Sequence, residues 1–308
     1  MAHWGAEMNQ TSPKGDNSTV VWTRGKGCAE LADLLTDGTP DRVSGDPAEE
    51  CISHRAGLLV ARRLSGSFDL VSVAVPVDFQ PDNVTRVVAT VAGGPHSLLA
   101  AQTAAQLGSS LDVPSEMVSA SGPDHDIASA RGILDEIGTR LPGMGSRVIE
   151  VDGISELVET LDEGALLVLG APGGSWLQRL MLGPGARLRR TAQAGAVIVR
   201  SAPDRVFRFM GEPVYVAPLR QADDTLRFHA ENTLAVADEG RLIGLVRRQR
   251  LMGAGGDPVE SVMEGAVSVR VDETISEAWE LEPTFGEDPI PVTDHEEHLV
   301  GGLSLPVG

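Results

Sequence analysis

The sequence predicts an α/β protein: a five-stranded parallel, doubly wound sheet followed by a compact α+β module. Three observations lead there. Between residues 86 and 200 short apolar runs alternate with helix-like stretches, the pattern of parallel βαβ units. The most apolar run, Ala165-Leu166-Leu167-Val168-Leu169, opens onto a glycine loop from Gly170 to Ala186 and then a second run, Ala196-Val197-Ile198-Val199. From Pro213 onward the texture changes to short strands with acidic turns.

In chain order, residues 1–16 are polar and unpatterned. Ser18 to Trp22 reads as a strand and Cys28 to Leu35 as a helix, with Gly25-Lys26-Gly27 as a turn between them. Lys26 lacks the longer loop and the Lys-Ser/Thr ending of a P-loop. Residues 37–53 read as loop. Gly57 to Arg62 and Phe68 to Val75 read as two strands of a hairpin turning at Ser65-Gly66-Ser67. Residues 1–82 are thus expected to form a separate, partly ordered segment.

Residues 83–205 carry the sheet. Arg86 to Val91 is the first strand, Gly93-Gly94-Pro95 a turn, and Ser97 to Leu107 a helix rich in Ala and Leu. Val113 to Ala120 is the second strand and Pro123 to Arg140 the second helix, stopped by Pro142-Gly143. Arg147 to Val151 is the third strand and Ser155 to Leu161 a short helix. Ligands of such sheets lie at the carboxyl ends of the strands, where the strand order reverses. Glycines there let backbone N–H groups approach a phosphate, and a helix start adds a positive dipole end.

The spacing Gly170, Gly173, Gly183 resembles the nucleotide-binding signature of the universal stress protein family, over about residues 84–201. That resemblance implies an adenine-nucleotide site with contacts at Ala92, Gly93, Val118, Gly170, Gly173, Gly183, Gly185 and Ala186. Pro184 and Ala186 stand where the family has hydroxyls, and Ala92 or Gly93 where it commonly has an Asp. Trp176, Arg179 and Arg187 are the other side chains of the loop with a phosphate or adenine reading beside a structural one.

The module at 210–308 contains a repeat. Asp238 to Val246 reads as a hairpin followed by helix-like Arg247 to Met252, and Asp294 to Leu303 is a similar hairpin; Gly244 and Gly301 lie 57 residues apart (301 − 244). Together with Val259-Glu260-Ser261-Val262-Met263 and the stretch Val269 to Ala278, this resembles a CBS domain pair, over about residues 213–306. Helices are expected near Leu219 to His229 and Thr274 to Leu281. CBS pairs often bind adenosine nucleotides through a Thr or Ser, and an Asp three residues later, after the second hairpin strand. Those positions hold Arg247 and Arg250 in one copy, Ser304 and Val307 in the other.

Composition narrows the function classes. A net charge of −19, from 44 acidic and 25 basic residues among 308, argues against a general nucleic-acid or anionic-membrane binder. No apolar run reaches the roughly 18–20 residues that span a bilayer, and the N-terminus lacks a secretory pattern, so a cytoplasmic chain is expected. Cys28 and Cys51 are expected to be free thiols. His295 and His298, with Glu296 and Glu297 between them, read as a solvated turn; no metal is predicted. No nucleophile–base motif is present. The expected function is a non-catalytic regulatory or stress-related protein, homodimeric, that senses an adenine nucleotide (ATP or AMP, weakly held). Two alternatives stand: an interaction scaffold with degenerate pockets, and a slow ATP hydrolase.

Overall fold

The computed structural model describes residues 19–63, 68–121, 126–150, 164–171 and 194–306. They divide into two compact units, one within Asp16–Ala202 and the other within Pro203–Gly308.

The first unit is built on one nine-stranded sheet. Its strands are β1 (Val20–Trp22), β2 (Asp41–Arg42), β3 (Leu58–Val60), β4 (Ser72–Val77), β5 (Arg86–Thr90), β6 (Ser115–Ser121), β7 (Gly145–Glu150), β8 (Ala165–Gly170) and β9 (Ala196–Arg200), in the order β2-β1-β3-β4-β9-β8-β5-β6-β7. The expected five strands are the β5–β9 half. The correction to nine arises because β4 runs antiparallel along β9, from Val73 opposite Arg200 to Val77 opposite Ala196. Four N-terminal strands thereby join the same sheet, and the break expected at 82/83 falls between two of its strands.

The hairpin expected at residues 57–75 is also corrected. β3 and β4 are parallel, with Leu58 beside Ser72 and Val60 beside Ala74. Burial explains the arrangement: Leu58, Leu59 and Val60 are all buried, as are Val73, Ala74 and Val75. Strands covered on both faces belong inside a sheet, whereas a solvent-facing hairpin alternates. Part of the stretch read as loop is helix α2 (Pro47–Ser53); α1 spans Cys28–Leu34. Asp46 caps α2 by accepting from the N–H groups of Ala48 and Glu49, Pro47 sits in the first turn, and Glu49 and Glu50 suit the dipole.

Helices α3 (Pro95–Leu111) and α4 (Ile127–Gly138) cover one face of the β5–β9 half. Ala100, Ala101, Ala104 and Leu107 of α3 and Leu134 and Ile137 of α4 close over Val87, Ala89, Val91, Met117 and Leu166. Small residues let α3 lie close to the strands. The opposite face carries Val88, Val118, Leu167 and Leu169. The helix expected at 155–161 lies outside the described residues.

The order has a local two-fold symmetry. Outward from the β4–β9 seam, one half reads fourth, third, first, second strand; the other reads fifth, fourth, first, second, third, and only the seam is antiparallel. The first strand of each half leads through a positive-φ glycine into a helix: Gly27 (φ 75°) into α1 and Gly94 (φ 79°) into α3.

The second unit repeats a strand–helix–hairpin pattern. The first copy has β10 (Tyr215–Val216), α5 (Ala222–Phe228), β11 (Thr233–Asp238), β12 (Arg241–Arg247) and α6 (Arg248–Ala254). The second has β13 (Val269–Arg270), α7 (Ile275–Trp279), α8 (Glu282–Phe285), β14 (Ile290–Thr293) and β15 (Leu299–Leu303). In each copy the first strand is parallel to the second and the hairpin antiparallel, with a register shift at the same place. Each copy borrows its lead-in segment from elsewhere in the chain. Gly211 bridges to Gly302 of the second copy, while Glu264 bridges to Leu245 of the first. A Cβ on Gly301 would lie 2.9 Å from Met210 Sδ, and one on Gly244 would lie 3.1 Å from Met263 Sδ and 2.5 Å from the Glu264 carbonyl. The repeated glycines are therefore seats for the two lead-in methionines. The stretch Val206 to Met210 is the counterpart, in the other copy, of Val259 to Met263: each opens on a short 3-10 turn and ends on the methionine.

Candidate functional site

Chain order reverses between β5 and β8, so their carboxyl ends flank the crevice where a doubly wound sheet holds a ligand. β5 leads into Ala92-Gly93-Gly94. Both glycines have positive φ, 90° and 79°, which a side chain would strain. Ser97, buried in the first turn of α3, fixes the loop: its Oγ accepts from the Ala92 N–H (3.0 Å) and donates to the Gly93 carbonyl (2.9 Å).

Among the described residues no side chain caps α3, and Pro95 has no N–H to satisfy. The helix is 17 residues long, so its amino end is a complete positive dipole terminus. Gly170, ending β8, meets this terminus closely; a Cβ there would lie 3.0 Å from His96 Cβ. His96 Nδ1 accepts from the Ser201 N–H (3.1 Å), tying the end of β9 to α3 and leaving the ring proton on Nε2. Burial first, and the Arg200 charge second, hold the His96 pKa below the usual histidine value. The imidazole is thus a neutral N–H donor at neutral pH.

Ser119 and Ser121 end β6 on the face that Met117 shares with α3 and α4. They are 1% and 4% exposed, and neither hydroxyl has a hydrogen-bond partner among the described residues. Two buried hydroxyls without partners cost about 1–3 kcal/mol each, and they stand at the strand ends where a ligand would be held. Their signal in the sequence is a pair of small polar residues two apart, on the same face of the strand as Met117 and following the apolar pair Met117-Val118.

The expected site residues sort as follows. Ala92, Gly93 and Gly170 are brought together at this edge. Val118 lies one position inside: its side chain is buried with Leu167 and Leu169, and its carbonyl accepts from the Val91 N–H (2.9 Å). Gly173, Gly183, Gly185 and Ala186, with Trp176, Arg179, Pro184 and Arg187, lie outside the described residues.

In the second unit, Arg247 and Arg250 converge on Glu264, at 3.4 and 2.8 Å. These groups are about half exposed, so the pairs fix geometry more than they add stability. Ser304 is exposed and Val307 lies outside the described residues. His298 reaches Asp294 (3.2 Å) and His295 reaches Asp272 (3.8 Å), both near the surface. Among the described residues no three His, Cys, Asp or Glu groups are arranged to hold a metal ion, and no helix is long and apolar enough to cross a membrane.

No protein-family model and no curated protein matches this chain. Solved structures of CBS domain pairs do match, over the C-terminal third. The cytosolic domain of the Mg2+ channel MgtE in complex with ATP is 28% identical, over 33% of this chain and 46% of that one, with a TM-score of 0.30. CBSX2 in complex with AMP, a protein also solved from Arabidopsis thaliana, is 23% identical over 33% and 90%, at 0.30. A CBS domain pair/ACT domain protein from Thermotoga maritima is 23% identical over 33% and 89%, at 0.30. This chain thus spans less than half of the MgtE cytosolic domain and about nine-tenths of the other two.

Proposed function

We propose that this protein is a non-catalytic, cytoplasmic, homodimeric regulator that senses an adenine nucleotide, with the β5/β8 crevice of a universal-stress-like layer as its site and a CBS-type pair as its second module. One observation carries the ligand reading. A helix start and two buried hydroxyls, all without a side-chain partner among the described residues, and a neutral His96 donor stand at the carboxyl ends of the strands beside the reversal of strand order. Phosphate suits the helix start and the Nε2–H donor. Hydroxyls without partners suit a polar ring or ribose.

ATP and AMP, present in two of the CBS-pair structures above, are the ligands to try first. With Pro184 and Ala186 in place of the hydroxyls that universal stress proteins carry, binding at the crevice is weak. Calorimetric titration of AMP and ATP into the full chain tests the reading. Saturable binding that falls at least tenfold in Ser119→Ala/Ser121→Ala supports it, while heat unchanged by that pair removes the site. Sedimentation at micromolar concentration tests the dimer; a single species of about 32 kDa would reject it.

A further inference from the structure

The two-fold order of the large sheet gives it a second reversal of chain order, between β1 and β3. Because the halves are antiparallel, this reversal lies at the opposite edge from β5/β8. The carboxyl ends of β1 and β3 carry four cations, Arg24 and Lys26 after β1 and Arg62 and Arg63 after β3. All four are exposed, and none makes an ion pair or side-chain hydrogen bond among the described residues.

Several other arginines of the chain meet carboxylates, Arg147 on Glu116 at 3.1 Å and Arg250 on Glu264 at 2.8 Å, while these four cations stand together at one sheet edge without one among the described residues. The strand ends are also held together. Gly25 lies so close to Arg62 that a Cβ there would be 3.1 Å from Arg62 Cβ, which brings the Arg62 stem against the β1 loop. Beside this edge opens a cavity of about 440 Å³, lined by Lys26, Glu30, Phe79, Gln80, Asp82 and Asn83 among others. Its size suits a ligand of one or two rings. Its walls present the carboxylates of Glu30 and Asp82, which accept hydrogen bonds from hydroxyls, and the amides of Gln80 and Asn83, the second donating to the first at 2.8 Å. Lys26 belongs to both the cationic edge and the cavity.

We infer that the β1/β3 crevice is a second ligand site, independent of the β5/β8 one, for a small phosphate ester with a hydroxyl-bearing body. The phosphate sits against Arg24, Lys26 and Arg62, where unpaired guanidinium and ammonium groups need no carboxylate displaced. The hydroxylated body turns into the cavity toward Glu30, Gln80 and Asp82. The sugar hydroxyls donate to those carboxylates and inorganic phosphate has none to reach them, so the ester binds more tightly than phosphate.

The test uses the full chain at low salt, with ribose 5-phosphate and inorganic phosphate as probes in calorimetric titrations. Ribose 5-phosphate should bind more tightly than phosphate, and Lys26→Gln/Arg62→Gln should weaken it by at least about tenfold, with an unchanged thermal melt showing that the fold is intact. Asp82→Asn should narrow the gap between the two probes. Ser119→Ala/Ser121→Ala, at the other crevice, should leave ribose 5-phosphate binding as in the native chain, so failure of the adenine-nucleotide reading leaves this one standing. No heat with ribose 5-phosphate, or equal heat before and after Lys26→Gln/Arg62→Gln, would overturn the inference.

Discussion

Replacing Ser119 by Ala should make the ligand-free protein more stable and its ligand response weaker. The hydroxyl is 1% exposed and has no hydrogen-bond partner among the described residues, so it has lost its hydration without a replacement from them. Such a group costs about 1–3 kcal/mol when buried unsatisfied. Alanine removes that cost and takes away only one oxygen atom beside Val148, its nonpolar neighbour on β7. A gain of about 1 kcal/mol would raise the melting temperature of a unit of this size by roughly 2–4 °C. Differential scanning calorimetry of the native and Ser119→Ala chains, each with and without AMP, reads both effects. The expected pattern is a higher melting temperature without AMP and a smaller rise on adding it. A variant destabilised by 1 kcal/mol or more would mean that the hydroxyl is satisfied in solution, and its use as a ligand contact would fall.

Three further outcomes are expected. Asp288, 9% exposed, accepts from the N–H groups of Asn232 (3.1 Å) and Thr233 (2.8 Å) and so joins the two copies of the second unit; Asp288→Ala should cost about 2–4 kcal/mol in urea unfolding, and a loss below about 1 kcal/mol would contradict this role. Gly301→Val, whose new Cβ would stand 2.9 Å from Met210 Sδ and 3.0 Å from the Gly211 carbonyl, should lower the melting temperature of that unit, whereas Gly240→Ala, with nothing within 4 Å but a φ of 83°, should cost no more than about 1–2 kcal/mol of backbone strain. Burial pushes the Cys51 thiol up to about 12, so the folded chain holds that proton more tightly than the unfolded one; stability should be full below pH 9 and fall as pH rises toward 12, and native Cys51 should resist thiol reagents at pH 8 while the unfolded chain reacts.

The longer strands and helices of the β5–β9 half were legible because each is a continuous apolar run or an Ala/Leu-rich helix: Leu166 to Leu169, Val87 to Ala89, and Ala100 to Leu107. Strand pairing was not. Val20–Trp22 and Leu58–Val60 are three residues each, too short for a period to show, and their place is set by contacts across the sheet rather than by neighbours in sequence. The seam between β4 and β9 joins residues more than a hundred apart. Helix α2 was readable and passed over: Asp46-Pro47-Ala48-Glu49 carries cap, proline and acidic first turn together. In the second unit the hairpin glycines pointed to the repeat, but their reason, contact with Met210 and Met263, appears only in three dimensions. The spacing of Val206 and Met210 equals that of Val259 and Met263, and that match was available in the sequence. At the crevice, glycines drew the eye, while Ser119 and Ser121 became visible through their burial.

Photolabelling of the full chain with 8-azido-AMP, followed by peptide mapping, addresses the nucleotide site most directly. Label protected by excess AMP should map to residues 91–97, the turn from β5 into α3, or to 117–121, the end of the neighbouring strand β6. Protected label confined to residues 203–306, or none that excess AMP displaces, would show that the β5/β8 crevice holds no adenine nucleotide.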